Sequence, residues 1–186
     1  MNKSGFTLIE SLIYITCATL MCMLTASFVS NIYLNSKRNI KFVDRYFEVY
    51  RAHDFVVSFL QQAPNKKKFW KKLDKSSFVF AQEKNINNNS SSINNNSWDI
   101  GFYVDNKNRL LKKTGKYNLQ NNSWSGENIS DHAGYSILLN NCNLEFIPVS
   151  DASSGNIIGA DLILRDKDNV NLYCKRFVKF CSVNNL

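Results

Sequence analysis

Residues Phe6–Leu34, FTLIESLIYITCATLMCMLTASFVSNIYL, hold a single charged side chain, Glu10, among apolar and small residues. A bilayer's hydrocarbon core is crossed by about 20 helical residues, so this stretch is long enough to span it. A cleaved secretory signal would have several basic residues and then an apolar core of about 7–15 residues. Here Lys3 is the only basic residue before a much longer run. A plain signal anchor fits the length but gives no reason for Glu10, because a carboxylate at membrane depth costs about 2.5–3.5 kcal/mol on insertion scales. Such a residue usually has a partner and a task.

Working outward, the helical period continues past the apolar run. Ile40, Val43, Phe47, Tyr50, Val57 and Leu60 step by three or four, with Asp54 interrupting, and Phe42, Tyr46, Val49 and Val56 widen the stripe. This face should bury against a sheet of the same chain. Ala63-Pro64 ends it, since a residue before proline is pushed out of helical geometry. A helix from Phe6 to about Gln62 would be roughly 85 Å long at 1.5 Å per residue.

Next, Lys66, Lys67, Lys68, Lys71, Lys72 and Lys75 surround Phe69, Trp70 and Leu73. This reads as a basic amphipathic turn, either a solvated surface anchored by the aromatics or a contact for a phosphate backbone or anionic headgroups. Residues 85–97 (NINNNSSSINNNS) are polar and low in complexity, and read as a loop between strands.

Beyond that loop the period falls toward two. Ser77–Ala81, Asp99–Val104, Arg109–Lys113, Leu144–Val149, Ile157–Arg165 and Val170–Phe180 are expected strands. Asp105-Asn106-Lys107-Asn108 and Asp166-Lys167-Asp168-Asn169 are turn chemistry between paired runs. Two antiparallel hairpins follow, with Gly159–Arg165 in the longer one and central. The expected fold class is α+β: a long helix first, then an antiparallel sheet laid on it.

Catalytic material is scarce. The chain has two His, His53 and His132, and five Cys with no CxxC pair, which leaves little for a zinc site. Asp166, Asp168 and Asn169 lack the central Gly and closing Glu of a calcium loop. No Gly-rich phosphate loop and no Ser/His/Asp grouping stands out. An enzyme and a resident cofactor are therefore not expected.

Lys3-Ser4-Gly5-Phe6-Thr7-Leu8-Ile9-Glu10, a short polar leader ending in Gly before an apolar run, resembles the N-terminal signature of type IV prepilins and pseudopilins. The resemblance implies that a prepilin peptidase cuts between Gly5 and Phe6 and N-methylates Phe6. It also implies that Glu10 pairs with the amine of a neighbouring subunit and sets the register of assembly. Opposite charges buried together are tolerable, and apart they are expensive. Implied partners are other minor and major pilins or pseudopilins along the helix, the peptidase, and the inner membrane, which the chain would cross once with its C-terminal domain on the periplasmic side. Basic residues counted alone (Lys37, Arg38, Lys41 and Arg45 against Lys3) would put that side in the cytoplasm, but the leader is too short to carry weight.

The implied organisation is a leader (1–5), a membrane or filament-core helix (6–35), an amphipathic second half (36–63) and a sheet domain (64–186). The later part loosely resembles J-type minor pseudopilins of type II secretion and W-type minor pilins. That likeness rests on layout and on Ile100-Gly101-Phe102-Tyr103-Val104 leading to Leu110-Leu111-Lys112-Lys113. All 23 Lys and Arg residues except Lys3, and all 15 Asp and Glu except Glu10, lie beyond Ser36, so the net +8 belongs there. A basic exported domain suits DNA, anionic lipid or an acidic partner. The alternative function is accordingly a DNA-uptake pilin holding nucleic acid through Lys66, Lys67, Lys68, Lys71 and Lys72.

In an oxidising compartment Cys142 could pair with Cys174 or Cys181, or all three could be small buried residues. Cys174 and Cys181 are an odd number of residues apart on one expected strand, so they should not pair with each other. Cys17 and Cys22 read as helix-packing residues.

Overall fold

The computed structural model describes residues 7–82, 98–125 and 135–180. Two compact units divide at Arg45 and Tyr46. One helix, α1 (Leu8–Leu60), supplies the first and opens the second. The expected α+β layout is present, with the end of the helix packed on antiparallel sheets. The Asn/Ser-rich segment 85–97 lies outside the described residues.

In the second unit α1 buries Val49, Ala52, His53, Val56, Val57 and Leu60. These recur every three or four residues, one stripe on a 3.6-residue period, while Glu48, Arg51, Asp54 and Ser58 stay outside. The stripe covers only part of the expected face. Ile40, Val43, Phe47 and Tyr50 are exposed. Periodicity tells which residues share a face; it does not say whether anything covers them.

After α1 the chain makes a 3-10 turn, Lys67–Phe69, and enters β1 (Trp70–Asp74), where a basic surface turn was expected. Trp70 explains the difference. Its indole Nε1 donates to Pro64 O at 2.7 Å, and its rings lie among Phe80, Phe180, Phe146 and Phe78. Lysines tolerate such a strand because their stems lie along apolar surface while the ammonium groups reach water.

Then come β2 (Ser77–Gln82), β3 (Trp98–Val104), β4 (Leu110–Asn118), β5 (Ser123–Ser125) and β6 (Tyr135–Leu139). They make a six-stranded antiparallel sheet in the order β1-β2-β3-β4-β5, with β6 also on β4. The β3–β4 hairpin turns at Asp105, whose carboxylate accepts the amides of Lys107 and Arg109. The Arg109 side chain beside it holds that carboxyl below its ordinary range. Asn108 takes the left-handed conformation (φ 57°) that Asn tolerates in turns. β4 outruns its expected end at Lys113 and passes from β3 to β5 at Gly115 (φ 153°), where a side chain would be strained.

β7 (Cys142–Ser150), β8 (Ile157–Asp166) and β9 (Tyr173–Lys179) form a second antiparallel sheet with β8 central, as the sequence suggested. β9 starts later than expected. Asp166 Oδ1 accepts the amides of Asp168 and Asn169 and draws the chain into a turn, and Leu172 N–H donates to Asn169 O. Phe146 N–H donates to Lys75 O at 2.7 Å and Ile157 N–H to Asn65 O at 2.9 Å, tying this sheet to the segment that opens the other. Phe78, Phe80, Phe102, Phe146, Leu162 and Leu164 are fully buried in the core shared by both sheets and the α1 stripe.

The Cys142–Cys174 disulfide is not formed. Cys142 faces Asp166 and Cys174 faces Leu164 on opposite sides of β8. Two strand spacings and a two-residue offset along β8 separate them by roughly 11–12 Å, beyond the 4.4–6.8 Å or so between Cα atoms that a disulfide bridges. Cys174 is half-buried, and its desolvation raises the thiol pKa.

Candidate assembly surface on the N-terminal helix

Gly5 and Phe6, the expected cleavage and methylation positions, lie outside the described residues. Description starts at Thr7, and the first turn is organised around it. The Thr7 amide donates to Glu10 Oε2 at 2.9 Å and its hydroxyl donates to the same oxygen at 3.1 Å. In return the Glu10 amide donates to Thr7 Oγ1 at 3.4 Å. Ser11 N–H closes the turn on Thr7 O at 3.2 Å.

This reciprocal pattern is a capping box, with Thr7 as N-cap and Glu10 at the third helical position. The four first amides of a helix have no partner within it, and the box satisfies part of that need. The positive end of the helix dipole also favours a carboxylate there. The Thr-x-x-Glu signature of the box is present in the sequence as Thr7-Leu8-Ile9-Glu10, a local role for Glu10 beside the expected pairing with another subunit. The two roles are compatible. Glu10 is exposed, and Oε1 takes no hydrogen bond among the described residues.

Above this cap the helix is apolar on all sides. Leu8 is 85% exposed and Met23 71%, and Ile9, Leu12, Leu20, Leu24 and Phe28 are likewise uncovered. A helix apolar all round is stable only where its surroundings are apolar too. Its hydroxyls are prepared for this. Thr16 Oγ1 donates to Ile13 O at 2.9 Å, Thr19 to Thr16 O at 2.8 Å, and Thr25 to Met21 O at 2.9 Å. Each of these three hydroxyls is satisfied within the helix, which removes most of its cost of leaving water. Cys17 and Cys22 are exposed on the same surface. The helix is long and apolar enough to cross a membrane.

The lysine cluster lies in the second unit and is partly committed. Lys71 Nζ donates to Asp99 Oδ2 at 2.6 Å and to Tyr117 O at 3.3 Å. Tyr117 N–H donates to the same Asp99 oxygen at 2.6 Å. Lys72 sits 3.2 Å from Asp74, and Lys68 lies over the Phe69 ring. Lys67 and Lys68 are exposed at the 3-10 turn, while Lys66 is half-buried. Nothing in the spacing of residues points to the Asp99–Lys71 pair, because the two meet only through the strand register.

Two further groups have surroundings that only the fold reveals. His53, buried on α1, has Nε2 3.4 Å from Leu162 O; burial pushes its pKa down, and nearby Arg176 adds to the shift. Lys112 places Nζ 3.9 Å from the centre of the Phe59 ring and 5.4 Å from that of Phe55, and its burial lowers its pKa. Among the described residues no group of three or more His, Cys, Asp or Glu could hold a metal ion.

No protein-family model, curated protein or solved structure matches this chain.

Proposed function

We propose that the chain is a minor pilin or pseudopilin, a structural subunit that helps to start or cap a type II secretion pseudopilus or type IV pilus. In this reading the prepilin peptidase cuts between Gly5 and Phe6, Phe6 is N-methylated, and the helix from Leu8 onward waits in the inner membrane with the sheet domain on the periplasmic side. Assembly then moves the helix from lipid into a bundle of sister helices, so the exposed apolar surface never meets water. The reading is carried by one observation: a single carboxylate, capping a helical stretch (residues 8–34) that has no other charge and exposes apolar side chains on every side.

Glu10 serves twice. One oxygen closes its own helix, and the other is open to the ammonium group of an adjacent subunit's first residue. An incoming subunit that pairs these charges in an apolar bundle removes a desolvation penalty of several kcal/mol, which fixes its axial position.

The capping role changes how this should be tested. Glu10→Ala removes cap and charge together. Glu10→Gln keeps the cap, since Gln also closes a capping box, and removes only the charge. Copurification with sister minor subunits should fall about equally for both variants, while export and N-terminal cleavage persist. Full copurification of Glu10→Gln would overturn the charge-pairing role. Mass spectrometry showing residues 1–5 still attached in the native protein would overturn the subunit reading itself.

A further inference from the structure

Just past the apolar surface, within the first unit, Lys37, Arg38 and Lys41 are exposed. None has a carboxylate partner among the described residues, although Asp44 follows within a turn of Lys41. Tyr33, Lys37 and Lys41 recur at intervals of four, so they share one flank of α1, and Arg38 is three residues from Lys41 beside them. Tyr33 is 64% exposed.

We propose that these residues form a headgroup-binding band for anionic phospholipid at the leaflet where the helix leaves the membrane. The proposal rests on the transmembrane reading above and adds to it a lipid ligand. The lengths agree. Leu12 to Leu34 rises about 33 Å, which fills a hydrocarbon core of about 30 Å. Lys37 and Arg38 then come about 5 Å beyond the core, within the phosphate layer, and the long Lys41 side chain reaches back to it from about 10 Å. Tyr33 falls at the interface, where tyrosine is enriched. Three cations without carboxylates, at that depth and on one flank, complement lipid phosphates.

The test uses full-length protein in vesicles of phosphatidylcholine containing spin-labelled phosphatidylglycerol or phosphatidylcholine, reading the motionally restricted fraction of each lipid. The intact chain should favour phosphatidylglycerol about threefold at low salt, and the preference should weaken as salt is raised. The combined variant Lys37→Gln, Arg38→Gln and Lys41→Gln should show none. Neutralising Lys67, Lys68 and Lys75 instead should leave it unchanged. Flotation with the vesicles but equal affinity for both lipids would overturn the band, and leave these cations to an acidic protein surface. A preference surviving the triple variant would overturn it as well. Failure to float even with pure phosphatidylcholine would sink the transmembrane reading, and this proposal with it.

Discussion

Two stretches of one helix bury their apolar side chains in opposite ways. From Val49 to Leu60 the apolar residues keep to a stripe, and both sheets close over it. From Leu8 to Leu34 they occupy every side and stay exposed among the described residues. A stripe can be satisfied by a partner on one side, which a single domain provides. A surface apolar all round needs an enclosing medium, either lipid or other helices. Stability of the first kind is therefore a property of this chain, whereas the second kind belongs to whatever surrounds it.

The sharpest way to break that contrast uses one residue type in one helix. Leu60 is fully buried and Leu20 is 59% exposed. In full-length protein held in detergent, Leu60→Ala should lower the stability of the folded domain by about 2–5 kcal/mol, as loss of a buried leucine side chain does. Leu20→Ala should leave the denaturation midpoint within about 0.5 kcal/mol. Equal effects would show that the two stretches do not differ as described.

A second contrast concerns carboxylates. Glu10 is exposed, while Asp99 is almost wholly buried at 1% and bound to Lys71 and the Tyr117 amide. Lys71, about a third exposed, can turn into water when its partner is lost, but Asp99 cannot. Lys71→Met should therefore cost about 2–4 kcal/mol, and Asp99→Asn less, about 1–2 kcal/mol. The reverse order in urea titrations would mean that Asp99 has another route to solvation.

What was legible in the sequence follows the same division. Composition alone showed the apolar surface, and two-residue alternation with Asp/Asn turns showed both hairpins. β1 was hidden because its lysines mask a strand that Trp70 anchors through contacts distant in sequence. β5 is too short to show a period, and β6 ends in a continuous apolar run, Ile137-Leu138-Leu139, instead of an alternation. The exposed half of the expected helical stripe, Ile40, Val43, Phe47 and Tyr50, has the right spacing and stays uncovered among the described residues. Likewise the cysteine pairing needed the strand order, which spacing does not give.

A smaller effect is a pH dependence within the second unit. His53 is held below its ordinary pKa mainly by burial and further by Arg176, whereas the hydrogen bond with Leu162 O and the nearby Asp54 oppose the shift. Between that lowered value and about 6.5 the unfolded chain binds more protons than the folded one, so stability rises with pH through this window. Acidification from pH 8 to 5 should lower the denaturation midpoint below about pH 7 and leave it flat above. His53→Gln should remove part of that slope. An unchanged slope would place the titrating group elsewhere.

The smallest expected effect is the most local. Thr7→Val keeps the shape of Thr7 and deletes the hydroxyl that exchanges hydrogen bonds with Glu10, which should cost the helix end about 1 kcal/mol. Because Thr7 to Glu10 are exposed among the described residues, the loss should stay there. Amide exchange at Leu8–Ser11 should quicken about fivefold in micelles, while the domain midpoint stays unchanged. Thr7→Ser, which keeps the hydroxyl, should restore slow exchange. If Thr7→Val instead destabilised the sheet domain, the helix end would be coupled to the core, and the division between a self-sufficient stripe and a surface dependent on its surroundings would fail.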